Sequence, residues 1–123
     1  MSIHESGENY LEKILVLSQS CEKLRAVDLC TALGFSRPTV SVMLRELREG
    51  GFVCTAANGG IALTPEGEAV ARRIYDRHQL IAGALMALGV SRETALSDAC
   101  KMEHDISEET AQKLREFLES RKA

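Results

Sequence analysis

Tryptophan is absent from the 123 residues, and aromatic side chains make up only 4% of them. A core must therefore rest on Leu, Ile, Val, Ala and Met. No apolar run approaches the roughly 20 residues that a membrane-crossing helix needs, so no membrane partner is expected. The segment Met1 to Glu12 has neither a basic start nor an apolar stretch. This argues against a secretory signal and for a cytoplasmic protein. The four cysteines, Cys21, Cys30, Cys54 and Cys100, are widely spaced with no CxxC pair, which reads as reduced thiols rather than a disulfide framework. A surplus of positive charge is also missing: the net charge is −3, which is unfavourable for binding a polyanion.

The distribution of that charge matters more than its sum. Residues 1–19 carry −2, residues 20–75 carry +1 and residues 76–123 carry −2. The middle section alone is positive, so nucleic-acid binding must depend on where Arg and Lys stand. The acidic ends can attract cations. At this length the chain forms one compact domain or two small ones, and its modest core leaves room for a second chain to contribute.

Periodicity predicts a mainly α chain with one small β-hairpin. An amphipathic helix is expected over 5–19, with Leu11, Ile14, Leu15 and Ser18 on one face. A short helix over 26–33 ends at Gly34. Ser36 then reads as an N-cap, with Pro38 in the first turn of a third helix reaching about Arg48. Its inner stripe is Val40, Met43 or Leu44, and Leu47. Two strands, 52–55 and 60–63, flank Asn58-Gly59-Gly60, which is read as supplying positive φ for the turn. Thr64-Pro65 opens a long helix to about Leu88, with Val70, Ile74, Ile81, Leu85 and Leu88 inward. Ser91 starts a helix running through His104, and Ser107 caps a last one to about Arg121.

Helix, helix, tight turn, helix, hairpin and helix is the order of a winged helix-turn-helix. Its second helix would enter a DNA major groove by its N-terminal end. Ser36, Arg37, Thr39, Ser41 and Arg45 face out as donors for phosphates or base edges. Pro38 and Val42 offer apolar surface to a thymine methyl. Phe35 is placed to plug the helix junction. The same fold also packs on protein, a reading that the outward Ser/Thr/Arg composition disfavours.

Cys100, Glu103 and His104 stand at i, i+3 and i+4, which on one helix puts a thiolate or backbone oxygen, a carboxylate and an imidazole on one face. Such a mixed set suits a first-row divalent ion. His78 lies between Ile74 and Ile81, where an imidazole needs a partner. As residues alone, the run reads equally as a ligand set or as ordinary helix surface, while Glu5, Glu8 and Glu12 read first as a solvated acidic stripe.

Several segments together resemble the DtxR/MntR family of iron- or manganese-dependent transcriptional repressors: Glu8-Asn9-Tyr10-Leu11-Glu12, Ser36 to Ser41, Leu63-Thr64-Pro65-Glu66-Gly67, Arg77-His78 and Asp98 to Ser107. The resemblance covers nearly the whole chain. It implies a winged helix-turn-helix DNA-binding domain over 1–72 and a helical metal-binding and dimerisation domain over 73–123, as in shorter members without an SH3-like domain. It implies a homodimer that binds a palindromic operator of metal-homeostasis genes when loaded with Fe2+ or Mn2+, with Zn2+ able to bind in vitro. No small-molecule substrate is implied. His78, Cys100, Glu103 and His104 fall on ligand positions. Glu12 stands where manganese sensors have Glu, and Asn9 where the family has Met or Asp. Ala82 stands where a Glu ligand often sits and Leu96 where full-length iron sensors have His, so one of the two family metal sites is expected to be altered or lost.

Two rivals follow. One is a metal-independent winged-helix regulator whose site has degraded, as Asn9, Ala82 and Leu96 would suggest. The other is an enzyme with Cys100 as nucleophile and His104 or His78 as base. The chain is read as non-enzymatic, because no oxyanion-type glycine turn lies near Cys100.

Overall fold

A computed structural model describes residues 5–122. Residues 1–4 and 123, at the outer edges of the two expected domains, lie outside the described residues. The elements are α1 (Glu5–Ser18), α2 (Ala26–Leu33), α3 (Arg37–Glu49), β1 (Val53–Thr55), β2 (Ile61–Leu63), α4 (Pro65–Ala87), α5 (Arg92–Met102) and α6 (Glu108–Lys122). The chain divides into two compact units, one through Arg72 and one from Arg73. The break falls inside α4.

The first unit is a winged helix-turn-helix. Its core gathers Leu11, Ile14 and Leu15 of α1, Leu29 of α2, Val40, Leu44 and Leu47 of α3, Val53 of β1 and Ala71 of α4. On α3 the inner stripe runs through Leu44, while Met43 is only partly buried. Ser18 is exposed, and its hydroxyl turns back to the Ile14 and Leu15 carbonyls at 2.7 and 3.1 Å. The turn after α2 needs Gly34, whose φ of 75° is left-handed. Phe35 plugs the junction only in part: it stacks on Tyr10, with ring centroids 6.1 Å apart, yet stays 47% exposed.

The wing pairs Val53 with Leu63, Cys54 with Ala62 and Thr55 with Ile61 in antiparallel register. Within Asn58-Gly59-Gly60 only Gly59 takes positive φ, at 86°. Gly60 is held instead by its N–H donating to the Asn58 side-chain oxygen at 2.9 Å. The hairpin is tied to the segment before α2: the Ile61 N–H donates to the Leu24 carbonyl at 2.9 Å, and the Asn58 amide to the Glu22 carbonyl at 2.9 Å. At the start of α4, Thr64 Oγ1 accepts from the Gly67 N–H at 3.1 Å and donates to the Gly51 carbonyl at 2.6 Å. A Cβ on Gly67 would lie 1.9 Å from the Phe52 carbonyl oxygen, so the helix seats on the wing only through a glycine.

The second unit packs the rest of α4 with α5 and α6 around Ile81, Ala82, Ala95 and Ala99, joined by Leu85, Leu96, Ile106 and Leu114. Leu88 was expected inward but is 75% exposed. α4 ends at Ala87; the Leu88 N–H is shared between the Ala84 and Leu85 carbonyls, and the chain reverses at Gly89 with φ of 102°. α5 is also shorter than expected. Its last α-type bond is Glu103 N–H to the Ala99 carbonyl, after which Asp105 N–H closes a turn on Met102. Glu103 is thus the C-cap, and His104 lies beyond the helix. Ser107 caps α6, its hydroxyl oxygen accepting from the Thr110 N–H at 3.1 Å.

Candidate nucleic-acid interface and metal centre

In the first unit, α3 begins at Ser36, whose hydroxyl oxygen accepts from the Thr39 N–H at 3.4 Å and shares a hydrogen bond with Thr39 Oγ1 at 3.0 Å. That cap and Pro38 fix the first turn. Ser36, Arg37, Pro38, Thr39, Ser41, Val42 and Arg45 are all exposed. The face therefore presents two guanidinium groups, three hydroxyls and two apolar side chains to solvent. Beside it lies a cleft of about 330 Å³ whose walls include Arg25, Ser41, Arg48 and Gly59. Sequence reasoning missed Arg25 and Arg48. Arg25 stands at the N-cap position of α2, and its backbone N–H donates to Asp28 at 2.8 Å.

In the second unit, α4 and the end of α5 bring three donor types together. His78 Nδ1 and Glu103 Oε2 are 2.9 Å apart. One ligand atom each from His78, Cys100 and Glu103 lies within 4.8 Å of the others. Glu103 is wholly buried, His78 partly, and Cys100 is exposed on the solvent side. The imidazole of His104 is nearly buried, with Nε2 at 3.5 Å from Glu103 Oε1. The carboxylate thus has one oxygen toward each imidazole. This arises because α5 has ended: Glu103 and His104 do not share a continuing helical face. Nitrogen, thiolate sulfur and carboxylate oxygen at this separation are a donor set that fits a first-row divalent cation.

Ala82 is 2% exposed and packs with Ala95 and Ala99, with Leu96 against the same cluster. Both positions are apolar core. Asn9 and Glu12 belong to α1 in the first unit and are partly buried. On the same helix Glu8 is buried, at 8% exposure. A carboxylate so placed is unlike the solvated stripe that its spacing with Glu5 and Glu12 allowed.

The N-terminal DNA-binding domain model of the iron-dependent repressors matches residues 2–61, and the metal-binding and dimerisation domain model of the same repressors matches residues 64–123. The chain belongs to the iron-dependent repressor (DtxR/MntR) family. It is 43% identical over 103 residues to the transcriptional regulator MntR of Salmonella typhimurium, an alignment covering 84% of this chain and 66% of that one. It is 33% identical to an uncharacterised HTH-type transcriptional regulator of Methanocaldococcus jannaschii, over 94% of both chains. Among solved structures, the manganese regulator SloR superposes with a TM-score of 0.81 at 29% identity, over 97% of this chain and 55% of that one. This member of the family therefore spans just under two thirds of the Salmonella relative and about half of SloR. Among the described residues, no helix is long and apolar enough to cross a membrane.

Proposed function

We propose that this protein is a metal-dependent DNA-binding transcriptional repressor, acting as a homodimer on a palindromic operator in the cytoplasm and having no enzymatic activity. The observation that carries this reading is the convergence of His78, Cys100 and Glu103 within 4.8 Å, in a chain whose other unit is the family's DNA reader. His78, Cys100, Glu103 and His104 are the proposed ligands of the second unit. Glu12 and Asn9 are proposed as further ligands on the family resemblance. When bound, a Mn2+ or Fe2+ ion supplies a fixed positive charge that selects one arrangement of its ligands.

The protein's own groups do the rest. Glu103 orients His78 through Nδ1, which fixes the ring before any ion arrives. Arg37 and Arg45 meet phosphates or guanine edges, Ser36, Thr39 and Ser41 donate to the backbone, and Pro38 and Val42 contact apolar base edges. Two reading heads must sit about one DNA turn apart, roughly 34 Å, which is why a dimer is required. Selection of duplexes from a randomised palindromic pool with Mn2+ present, followed by mobility shifts with and without chelator, tests the reading. Binding that survives chelation unchanged would refute the metal switch.

A second reading, a winged-helix regulator that needs no metal, is favoured by one feature: at two positions where family members carry ligands, Ala82 is buried core and Leu96 is a partly buried apolar side chain against it. Calorimetric titration of Mn2+ into wild type and His78→Ala separates the two. The metal-independent reading requires identical, negligible heats.

A further inference from the structure

Two of the proposed ligands, Glu103 and His104, ride on the segment between α5 and α6. Short-range backbone bonds shape that segment, Glu103 to Ala99 and Asp105 to Met102. Three ties join it to α4: the packing of Ile106 against the cluster that includes Ile81 and Ala82, the His78–Glu103 hydrogen bond, and the contacts of Arg77. Arg77 precedes His78 on α4 and is only 6% exposed. Its Nη1 donates to the Ile106 carbonyl at 3.0 Å, and its Nη2 to the Glu108 carboxylate. Ile106 precedes the α6 N-cap, and Glu108 opens the helix. A buried guanidinium is tolerated only when paired; here one acceptor lies in the α5–α6 connection and the other at the first residue of α6. Successive helix residues project about 100° apart. Arg77 and His78 therefore grip the same segment from two directions, one at Ile106 and Glu108 and the other at Glu103.

We propose that Arg77 is a positioning residue for the cation centre: by holding Ile106 and Glu108 it sets where Glu103 and His104 stand relative to His78. The inference rests on the ligand reading above. It carries a sign that distinguishes it from simple electrostatics. Arg77 is a cation next to a proposed cation ligand, so if charge alone mattered, removing it would strengthen metal binding. Positioning predicts the opposite. Glu108 compensates the guanidinium, so neutralising Glu108 weakens both the grip and the charge balance.

The test is calorimetric titration of Mn2+ into the full chain as wild type, Arg77→Ala, Arg77→Lys, Glu108→Gln and Leu118→Ala. Leu118 packs against Gly83 of α4 and serves as a stability control in the same unit. All variants are checked for folding by circular dichroism at the titration temperature, and the His78 ring is followed by ¹⁵N NMR in the metal-free protein. Arg77→Ala should weaken Mn2+ binding about 10- to 100-fold, the range seen when groups supporting a ligand are removed. Arg77→Lys, able to reach one acceptor, should fall between, and Glu108→Gln should lose less. Leu118→Ala should bind as wild type even if it melts earlier. The metal-free His78 signals should shift in Arg77→Ala and not in Leu118→Ala. Wild-type or tighter binding by Arg77→Ala overturns the proposal. If that variant does not fold, wild-type affinity in both Arg77→Lys and Glu108→Gln overturns it. A wild type that takes up no Mn2+ overturns the ligand reading itself, and this inference with it.

Discussion

Tyr10 is 2% exposed, and among the described residues its hydroxyl has no hydrogen-bond partner. Burial, with the nearby Cys30 adding to it, raises its pKa above the ordinary 10. The neutral phenol is thus favoured in the fold more than in the unfolded chain. Its contribution to stability should be level below about pH 10 and fall as pH climbs from there through the higher folded-state value. Tyr10→Phe should remove that alkaline loss while leaving stability near neutral pH unchanged or up to about 1 kcal/mol higher, since a buried hydroxyl without a partner is a cost. Urea melts at pH 7 and above pH 10 check both parts. Gly67 gives a change of opposite direction. The atom that a Cβ would strike belongs to the Phe52 backbone, which cannot rotate away. Gly67→Ala should cost at least about 2 kcal/mol by urea denaturation, although alanine is ordinarily the better helix former.

The recognition helix α3 makes a prediction of its own. Arg37→Ala and Arg45→Ala should each weaken operator binding. A variant that has lost a phosphate contact lowers the salt slope by about 1, whereas one that has lost a base contact relaxes sequence preference at one position. Mobility shifts at several salt concentrations separate these, and two variants with wild-type affinity would remove α3 from the interface. Elements whose ends are marked by local chemistry were legible in the sequence: Ser36 and Pro38 open α3, Gly34 closes α2, and Thr64-Pro65 opens α4. The end of α5 was not, because Glu103, His104 and Asp105 include neither Gly nor Pro and are all compatible with a helix. The pairing of His78 with Glu103 spans 25 residues of sequence; periodicity offered only an imidazole on an apolar face, and it took the family resemblance to put both residues on ligand positions. Arg77 was visible as a family-like residue beside His78, but its acceptors lie at Ile106 and at the start of α6, and no local pattern announces them. Arg25 and Arg48 escaped notice because a cleft wall is assembled from separate segments.

For the molecule as a whole, the charge split gives the clearest expectation. With a net charge of −3, long-range attraction to DNA is weak, so binding without a cation should be slight. Adding Mn2+ should raise operator affinity and thermal stability together, since a ligand bound only by the folded state stabilises it by RT ln(1 + L/Kd), where L is the free ligand concentration. Scanning calorimetry of metal-free and Mn2+-loaded protein checks this; an unchanged melting temperature at saturating Mn2+ would contradict it.

The hydrogen bonds from Ile61 to Leu24 and from Asn58 to Glu22 make the wing a third partner in the chain leading into α2. Deuterium exchange should report that connection. The Ile61 amide is predicted to exchange slowly for a three-residue strand, because exposing it requires the segment before α2 to open as well. Ile61→Pro together with Asn58→Ala would remove both donors and, with them, the shared opening. The wing tip would then exchange and be cleaved by protease independently of the reading head.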